Sequence, residues 1–284
     1  MQEFSGKTAV VTGAASGIGR ALVLKFAGAG CRVVAADVDA AGLEETRKLA
    51  EAAGAQALAV HCDVTRQDNL DACADAAYDA FGAVHILCNN AGVLSGGTTW
   101  ELPIEDYQWQ IAVNTLGPIH GVRSFVPRML AQDSEGHIVN TASMAGLTTM
   151  PFAGAYHLSK HACLAFTECL YHELKETKLG VSVLCPELIN TGIAASERVR
   201  PEGYQHRDKD YVVSPAGKLV VDALAEGMKT GGLAPSVMAD RVYDAIVADR
   251  FYIIAEDAWR DACNQRLEDI RLGRNPTFAP PTSV

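Results

Sequence analysis

Short apolar runs alternate with amphipathic stretches along most of this chain, and the alternation predicts strands and helices in turn. Lys7 to Thr12 reads as a buried strand, rich in β-branched residues. A glycine-rich turn follows, and Arg20 to Ala27 reads as a helix stopped by Gly28 to Gly30. Cys31 to Asp37 is a second strand, 40–53 a helix, Gln56 to His61 a third strand, and Thr65 to Phe81 a helix. Ala83 to Cys88 is a fourth strand. A long helical region over 104–132 carries Pro118 and Pro127, which predict a kink or a break. Gly136 to Ala142 is a fifth strand. Tyr156 opens a helix of about 22 residues ending near Lys178 to Gly180. Val181 to Cys185, a helix over Ser236 to Asp249, a strand over Phe251 to Ile254, and a helix over Asp257 to Leu272 complete the pattern. Asn275 to Val284 reads as an extended tail. Strands that alternate with helices predict an α/β fold: a doubly wound parallel sheet of about seven strands with helices on both faces.

Composition narrows the function. Of 284 residues, 49% are hydrophobic, enough for a large core. No Pro/Ser-rich linker or charge block interrupts the first 190 residues, so 1–284 is expected to form one domain. The net charge of −10, with no cluster of Lys and Arg, argues against a nucleic-acid partner. No apolar run approaches the roughly 20 residues of a membrane span. The first seven residues lack the basic and apolar regions of a signal peptide. The eight cysteines are scattered, with no C-x-x-C pair, which fits reduced thiols in a cytoplasmic protein.

The turn Gly13-Ala14-Ala15-Ser16-Gly17-Ile18-Gly19 supplies the first candidate chemistry. Glycines after a strand let backbone approach a pyrophosphate, and the free N–H groups of the following helix face the anion. A tight turn without a ligand would use the same glycines. Asp37 lies 18 residues after Gly19, close to where an acid meets a ribose 2′-hydroxyl. A carboxylate there repels a 2′-phosphate, and no Lys or Arg stands at 14–16 or 38–39. NAD is therefore expected rather than NADP. Asp63 ends the third strand, where it can accept from an adenine amino group or cap the next helix. Asn89-Asn90-Ala91-Gly92 ends the fourth strand, with small residues for close cofactor approach and amides for bracing strands.

Tyr156 and Lys160 are i and i+4 and share one helix face, 13 residues after Ser143 at the end of the fifth strand. A phenol near 10 is a poor base at neutral pH. A neighbouring ammonium and the positive nicotinamide favour the phenolate. Bringing it near 7 takes about 4 kcal/mol of differential interaction. Asn114, set among Ile111, Val113 and Leu116, is either a satisfied core amide or a functional group. His157 and His161 are also i and i+4, but no third ligand is evident and no metal site is expected.

Thr12-Gly13-x-x-x-Gly17-x-Gly19, Asp37, Asp63, Asn89-Asn90-Ala91-Gly92, Asn114, Ser143 and Tyr156-x-x-x-Lys160 together resemble the short-chain dehydrogenase/reductase (SDR) family, over about 5–190 and 236–255. The resemblance implies a Rossmann-type fold. It also implies an NAD-dependent oxidoreductase that interconverts a secondary alcohol and its ketone. In that frame Tyr156 is the general acid/base, Lys160 binds the nicotinamide ribose, Ser143 positions the substrate oxygen, and Asn114 holds a water of a proton relay. The implied cofactor set is Gly13, Ser16, Gly17, Ile18, Gly19, Asp37, Asp63, Val64, Asn90, Ala91, Gly92, Tyr156, Lys160, Pro186, Ile189 and Thr191. Where the family usually reads P-G-x-V-x-T, this chain has Pro186-Glu187-Leu188-Ile189-Asn190-Thr191. Glu187 replaces a glycine and either contacts substrate or points to solvent.

The resemblance divides the chain into a cofactor and catalytic core (5–191), a substrate lid (192–235), a final helix and strand (236–255), and a C-terminal helix and tail (256–284). The long lid suggests a bulky substrate, or else oligomer contacts. Leu94, Met144, Met150, Phe152 and Leu188 are expected to make the substrate wall largely apolar. The stretch after Thr191 loosely resembles relatives that oxidise aryl alcohols of the lignin-dimer type, and steroids and other hydrophobic ketones stay open. Relatives are commonly tetramers or dimers. Two other readings are a catalytically silent NAD-sensing protein and an epimerase or dehydratase of the family's extended branch. The complete catalytic set disfavours the first, and the glycine spacing and modest C-terminal portion disfavour the second.

Overall fold

The computed structural model describes residues 1–254 and 258–278. Seven parallel strands form one sheet: β1 (Thr8–Thr12), β2 (Arg32–Asp37), β3 (Ala57–His61), β4 (Ile86–Asn89), β5 (Gly136–Thr141), β6 (Leu179–Cys185) and β7 (Tyr252–Ile254). Their order is β3-β2-β1-β4-β5-β6-β7, so the winding reverses between β1 and β4. Ligands of open α/β sheets bind at that reversal, beyond the carboxyl ends of the strands. The central strands β1, β4 and β5 are buried along their whole length. Helices must therefore cover both faces.

Helices α1 (Gly17–Gly28) and α2 (Ala40–Ala52) follow β1 and β2. α3 (Gln67–Phe81), α4 (Ile104–Ile111), α5 (Gly117–Ala131) and α6 (Gly154–Leu174) come next, then α7 (Pro215–Thr230), α8 (Pro235–Val247) and α9 (Ala258–Leu272). One core packs Leu22 and Phe26 of α1 and Val242 and Ile246 of α8 against Val11 and Val33. The other packs Leu70 of α3, Trp109 of α4 and Phe125 of α5 against Val10, Val34 and Leu87.

The expected break near Pro118 does not occur. The helical path continues through a π-turn, Ala112–Leu116, and Pro118 sits in the first turn of α5, where its missing N–H costs nothing. α6 ends at Leu174, short of Lys178, because β6 already begins at Leu179. α3 begins two residues after Thr65. β4 begins three residues after Ala83. Asp257 and 279–284 of the expected tail lie outside the described residues, and 274–278 have no regular structure. All eight cysteines are free thiols, six of them buried. Among the described residues no helix is long and apolar enough to cross a membrane.

Two imidazoles are walled into this frame. His85 Nδ1 accepts from the Thr8 N–H at 3.2 Å, and His137 Nε2 lies 2.8 Å from Ser182 Oγ. Burial pushes them down to about 4 and about 3. Both folded values lie below the unfolded value near 6.5, so the unfolded chain takes up protons first. Their contribution is complete above about pH 6.5 and is lost as the pH falls toward 4. Urea titrations are expected to show a loss of roughly 2 kcal/mol per imidazole, about 4 kcal/mol for the pair, between pH 7 and pH 5. Equal stability at the two pH values would contradict this.

Candidate active site

The glycine turn is built for close backbone approach. Gly13 and Gly17 have φ of +66° and +54°. A Cβ on Gly13 would lie 2.7 Å from Ala91 Cα, and one on Gly19 would lie 2.0 Å from Gly13 O. Neither position admits a side chain. Ser16 caps α1 in extended conformation without a side-chain capping bond, and the first turn of α1 has no acidic residue. The N–H groups there face the cleft without competition from a carboxylate. Asp37 Oδ2 accepts from Ala15 N at 2.9 Å and Oδ1 from Asp39 N at 3.0 Å. The acid at the end of β2 thus braces the turn while lining the cleft.

Asp63 Oδ1 accepts from both the N–H and the hydroxyl of Thr65, at 2.9 and 2.8 Å. It orders the turn ahead of α3 and still faces the cleft beside Val64. Asn90 Nδ2 donates to Thr12 O at 3.0 Å, tying β4 to β1. Asn89 Nδ2 donates to Asn140 Oδ1, and Asn140 Nδ2 donates to Thr167 Oγ1, at 2.9 and 3.1 Å. This buried amide ladder joins β4, β5 and α6 beneath the site.

The Ser143 hydroxyl lies near enough to the Tyr156 phenol to draw it down. Ser143 Oγ also accepts from Ala145 N at 3.1 Å. Lys160 Nζ lies 5.7 Å from the centre of the Tyr156 ring and donates to Thr141 O at 2.9 Å. Burial pushes the Tyr156 phenol up to about 12, the Ser143 hydroxyl draws it back, and burial pushes the Lys160 ammonium down. Lys160 is itself desolvated and aimed at a carbonyl, so it does not offset the dry surroundings.

Asn114 sits in the π-turn, fully buried, behind the cleft wall. Its Oδ1 accepts from Val93 N, and its Nδ2 donates to Val93 O and Ser159 Oγ, at 2.9, 2.9 and 3.0 Å. Both amide atoms have partners, which explains a polar residue in this helix. Asn114 Oδ1 and Lys160 Nζ each lie 3.5 Å from the position of a Cβ on Gly92. The two groups thus converge on the glycine's bare face.

Every residue of the expected cofactor set, with Ser143, lines one cleft of about 260 Å³. Leu94, Met144, Met150, Glu187 and Leu188 line it too. Phe152 does not. It adopts φ +64°, and its carbonyl accepts from Gly97 N at 2.8 Å, so it shapes the loop before α6 instead of the wall. Glu187 lines the cleft but does not point freely to solvent, the second alternative offered for it. Its carboxylate is held by Arg241 Nη1 of α8, at 2.9 and 3.1 Å to its two oxygens. The pair is largely buried, so Glu187→Gln is expected to cost roughly 1–2 kcal/mol. A melting temperature unchanged from wild type would contradict it.

The lid leaves and rejoins the core at one point. Asn190 N donates to Leu233 O and Leu233 N to Leu188 O, at 2.9 and 3.0 Å. Between them come a 3-10 segment, Gly192–Val199, a short turn, Glu202–Tyr204, and α7. The lid is pinned to α4 by buried charge. Arg200 Nη2 pairs with Asp106 Oδ1 at 2.5 Å, and His206 Nε2 lies 2.9 Å from Asp106 Oδ2. The Arg200 guanidinium stacks 4.2 Å over Trp109. Sequence reading missed Trp109, Ile193, Val199, Leu224, Met228 and Trp259 as lining residues. Helical period alone would mark Trp109 as core, and nothing local links Trp259 of α9 to Ser143. His157 Nδ1 bonds the carbonyls of Ala145 and Thr148 at 2.8 and 2.9 Å, and His161 Nδ1 bonds His157 O at 2.8 Å. Among the described residues no group of three or more His, Cys, Asp or Glu is placed to hold a metal ion.

Comparison with known proteins gives the family. The short chain dehydrogenase family model matches residues 7–202. A short-chain dehydrogenase/reductase from Burkholderia phymatum, solved in complex with NAD, is 44% identical, covers 99% of each chain and superposes with a TM-score of 0.95. The 1-deoxy-11-beta-hydroxypentalenate dehydrogenase of Streptomyces exfoliatus is 35% identical over 97% of this chain and 92% of its own. The C alpha-dehydrogenase of a Sphingobium species is 31% identical over 95% and 87%. The chain is an oxidoreductase of the short-chain dehydrogenase/reductase family.

Proposed function

We propose that this chain is an NAD-dependent dehydrogenase/ketone reductase for a bulky, largely apolar secondary alcohol. The observation that carries the reading is the convergence of Ser143, Tyr156 and Lys160 at one end of a cleft whose other end is the glycine turn and Asp37. The NAD-bound Burkholderia relative supports the choice of cofactor, and Gly13, Gly19 and the uncapped start of α1 fit a pyrophosphate. Asp37, with lone pairs left after its two backbone bonds, suits a ribose diol.

NAD, when bound, accepts or returns the hydride and adds a positive charge near the phenol. The chain's own groups do the rest. Ser143 Oγ holds the substrate oxygen beside the phenol, and Tyr156 takes the hydroxyl proton during oxidation and returns it during reduction. Lys160 favours the ionised phenol, and the Asn114 side of the cleft leads its proton toward solvent. Leu94, Trp109, Met144, Met150 and Trp259 offer an apolar and aromatic wall to the substrate. One relative is named for dehydrogenation of a hydroxypentalenate and another for Cα-dehydrogenation.

A screen of aryl, alicyclic and steroid alcohols with NAD, followed by NADH absorbance, tests the reading. Turnover with at least one class is expected. Tight NAD binding with no turnover on any class would instead favour the catalytically silent sensor. The proposal includes one domain over 1–284, a cytoplasmic setting suited to the eight free thiols, and a dimer or tetramer. Exposed Leu116, beside Asn114, and Leu158, beside Tyr156, support the last of these. Light scattering on the purified protein reads the assembly directly.

A further inference from the structure

We propose that Arg198 of the lid is a phosphate-binding residue, which grips the cofactor's pyrophosphate from the side opposite the glycine turn. The inference rests on the NAD reading and adds a charged contact that the sequence motifs do not supply.

The glycine turn offers only backbone N–H groups. Its nearest arginine, Arg20, is occupied on the outer side, where it donates to Ala15 O at 2.6 Å, Thr46 Oγ1 at 3.0 Å and Glu45 at 2.7 Å. Among the described residues, Lys160 and Arg198 are the Lys and Arg side chains that line the cleft. Lys160 is buried beside Tyr156, where it donates to Thr141 O. The other charged lining groups, Asp37, Asp63 and Glu187, are acids. Among the described residues Arg198 is thus the lining cation away from Tyr156 that a pyrophosphate with two negative charges could draw on.

Arg198 stands in the right place and is loosely held. Thr191, at the base of the lid, has its methyl 3.0 Å from the position of a Cβ on Gly17, so the lid begins directly over the turn. Arg198 Nη2 lies 3.9 Å from Asp39 Oδ2, beyond a good hydrogen bond, and Nη1 reaches Ala195 O at 3.2 Å. The side chain is 47% exposed. Asp39 borders the turn: the Cβ position on Gly42 is 2.8 Å from Ala15 O and 3.2 Å from Asp39 Oδ2. A guanidinium that trades this long contact for two phosphate oxygens gains a bidentate, charge-assisted pair. Arg198 and Ser196 belong to the same 3-10 segment, so a phosphate contact at Arg198 would add to the anchoring that Arg200 already gives the lid. The Ser196 hydroxyl accepts from Leu94 N at 3.2 Å in the substrate wall.

Calorimetry on the full chain, with NAD, ADP, adenosine and 2′-AMP as separate ligands, tests the proposal. Arg198→Ala is expected to weaken NAD and ADP by about 10- to 50-fold and to leave adenosine within about twofold. Arg198→Lys should recover part of the loss, since it keeps the charge without the fork. The salt dependence of ADP binding should become shallower in Arg198→Ala. An equal loss for adenosine and ADP would mean a general lid defect and would overturn the assignment. Unchanged ADP affinity would also overturn it, and a loss confined to 2′-AMP would move the residue to the ribose 2′ position. A wild-type chain that binds neither NAD nor ADP would overturn the cofactor reading itself, a result distinct from either variant outcome.

Discussion

Replacing Tyr156 with Phe lowers kcat by about three orders of magnitude while NAD affinity stays within about twofold. The phenyl ring keeps the packing over which Lys160 sits and removes only the hydroxyl that meets Ser143. Loss of a positioned acid/base costs about 10²- to 10⁴-fold, and three orders of magnitude lies within that range. The wild-type pH profile carries the same information with opposite signs in the two directions. Oxidation needs the ionised phenol, so its rate rises with pH until that group has titrated. Reduction needs the protonated phenol, so its rate falls as pH rises through the same value. Burial holds the phenol at about 12 in the protein alone. An inflection well below 12 in the presence of NAD is expected if the ammonium and the cofactor together acidify it. A Tyr156→Phe enzyme that kept most of its kcat would remove the assigned base.

The second large effect falls on cofactor choice. Asp37→Ser is expected to change the ratio of kcat/KM for NAD over NADP by about 10³. Roughly half, on a logarithmic scale, comes from lost charge-assisted hydrogen bonds to the ribose diol. The remainder comes from removing a carboxylate that repels a 2′-phosphate. Asp37 also accepts from Ala15 N and Asp39 N, so the variant loosens the glycine turn and weakens both cofactors together. The ratio cancels that shared loss and isolates the ribose. Steady-state kinetics with the two cofactors at equal concentration measures it, and a ratio within a few-fold of wild type would defeat the role given to Asp37.

Features that depend on local spacing were legible in the chain. A strand, three glycines and a helix start follow one another within about twenty residues, so Gly13, Gly17 and Gly19 announce their geometry in sequence order. Tyr156 and Lys160 are one helical turn apart, and Ser143 follows two residues after a strand whose neighbours fix its position. Features that depend on distant elements were not. Glu187 finds Arg241 across 54 residues, and Arg200 finds Asp106 across 94. No periodicity encodes such pairings. The surroundings of the phenol were not legible for a related reason: spacing shows that a lysine is near, but not that both groups are desolvated and that the lysine faces Thr141 O. Phe152 failed as a wall residue because a left-handed backbone turns the loop away from what flanking hydrophobicity suggests.

Trp259 has a consequence for how this enzyme could be altered. It reaches the reaction chamber from α9, well past the span that the family model matches, and packs beside Met144 and Cys185. The carboxyl-terminal helix therefore contributes to the wall of the cleft. A chimera bearing a relative's terminus would inherit a different preference for ring size and shape, with the proton-handling groups untouched.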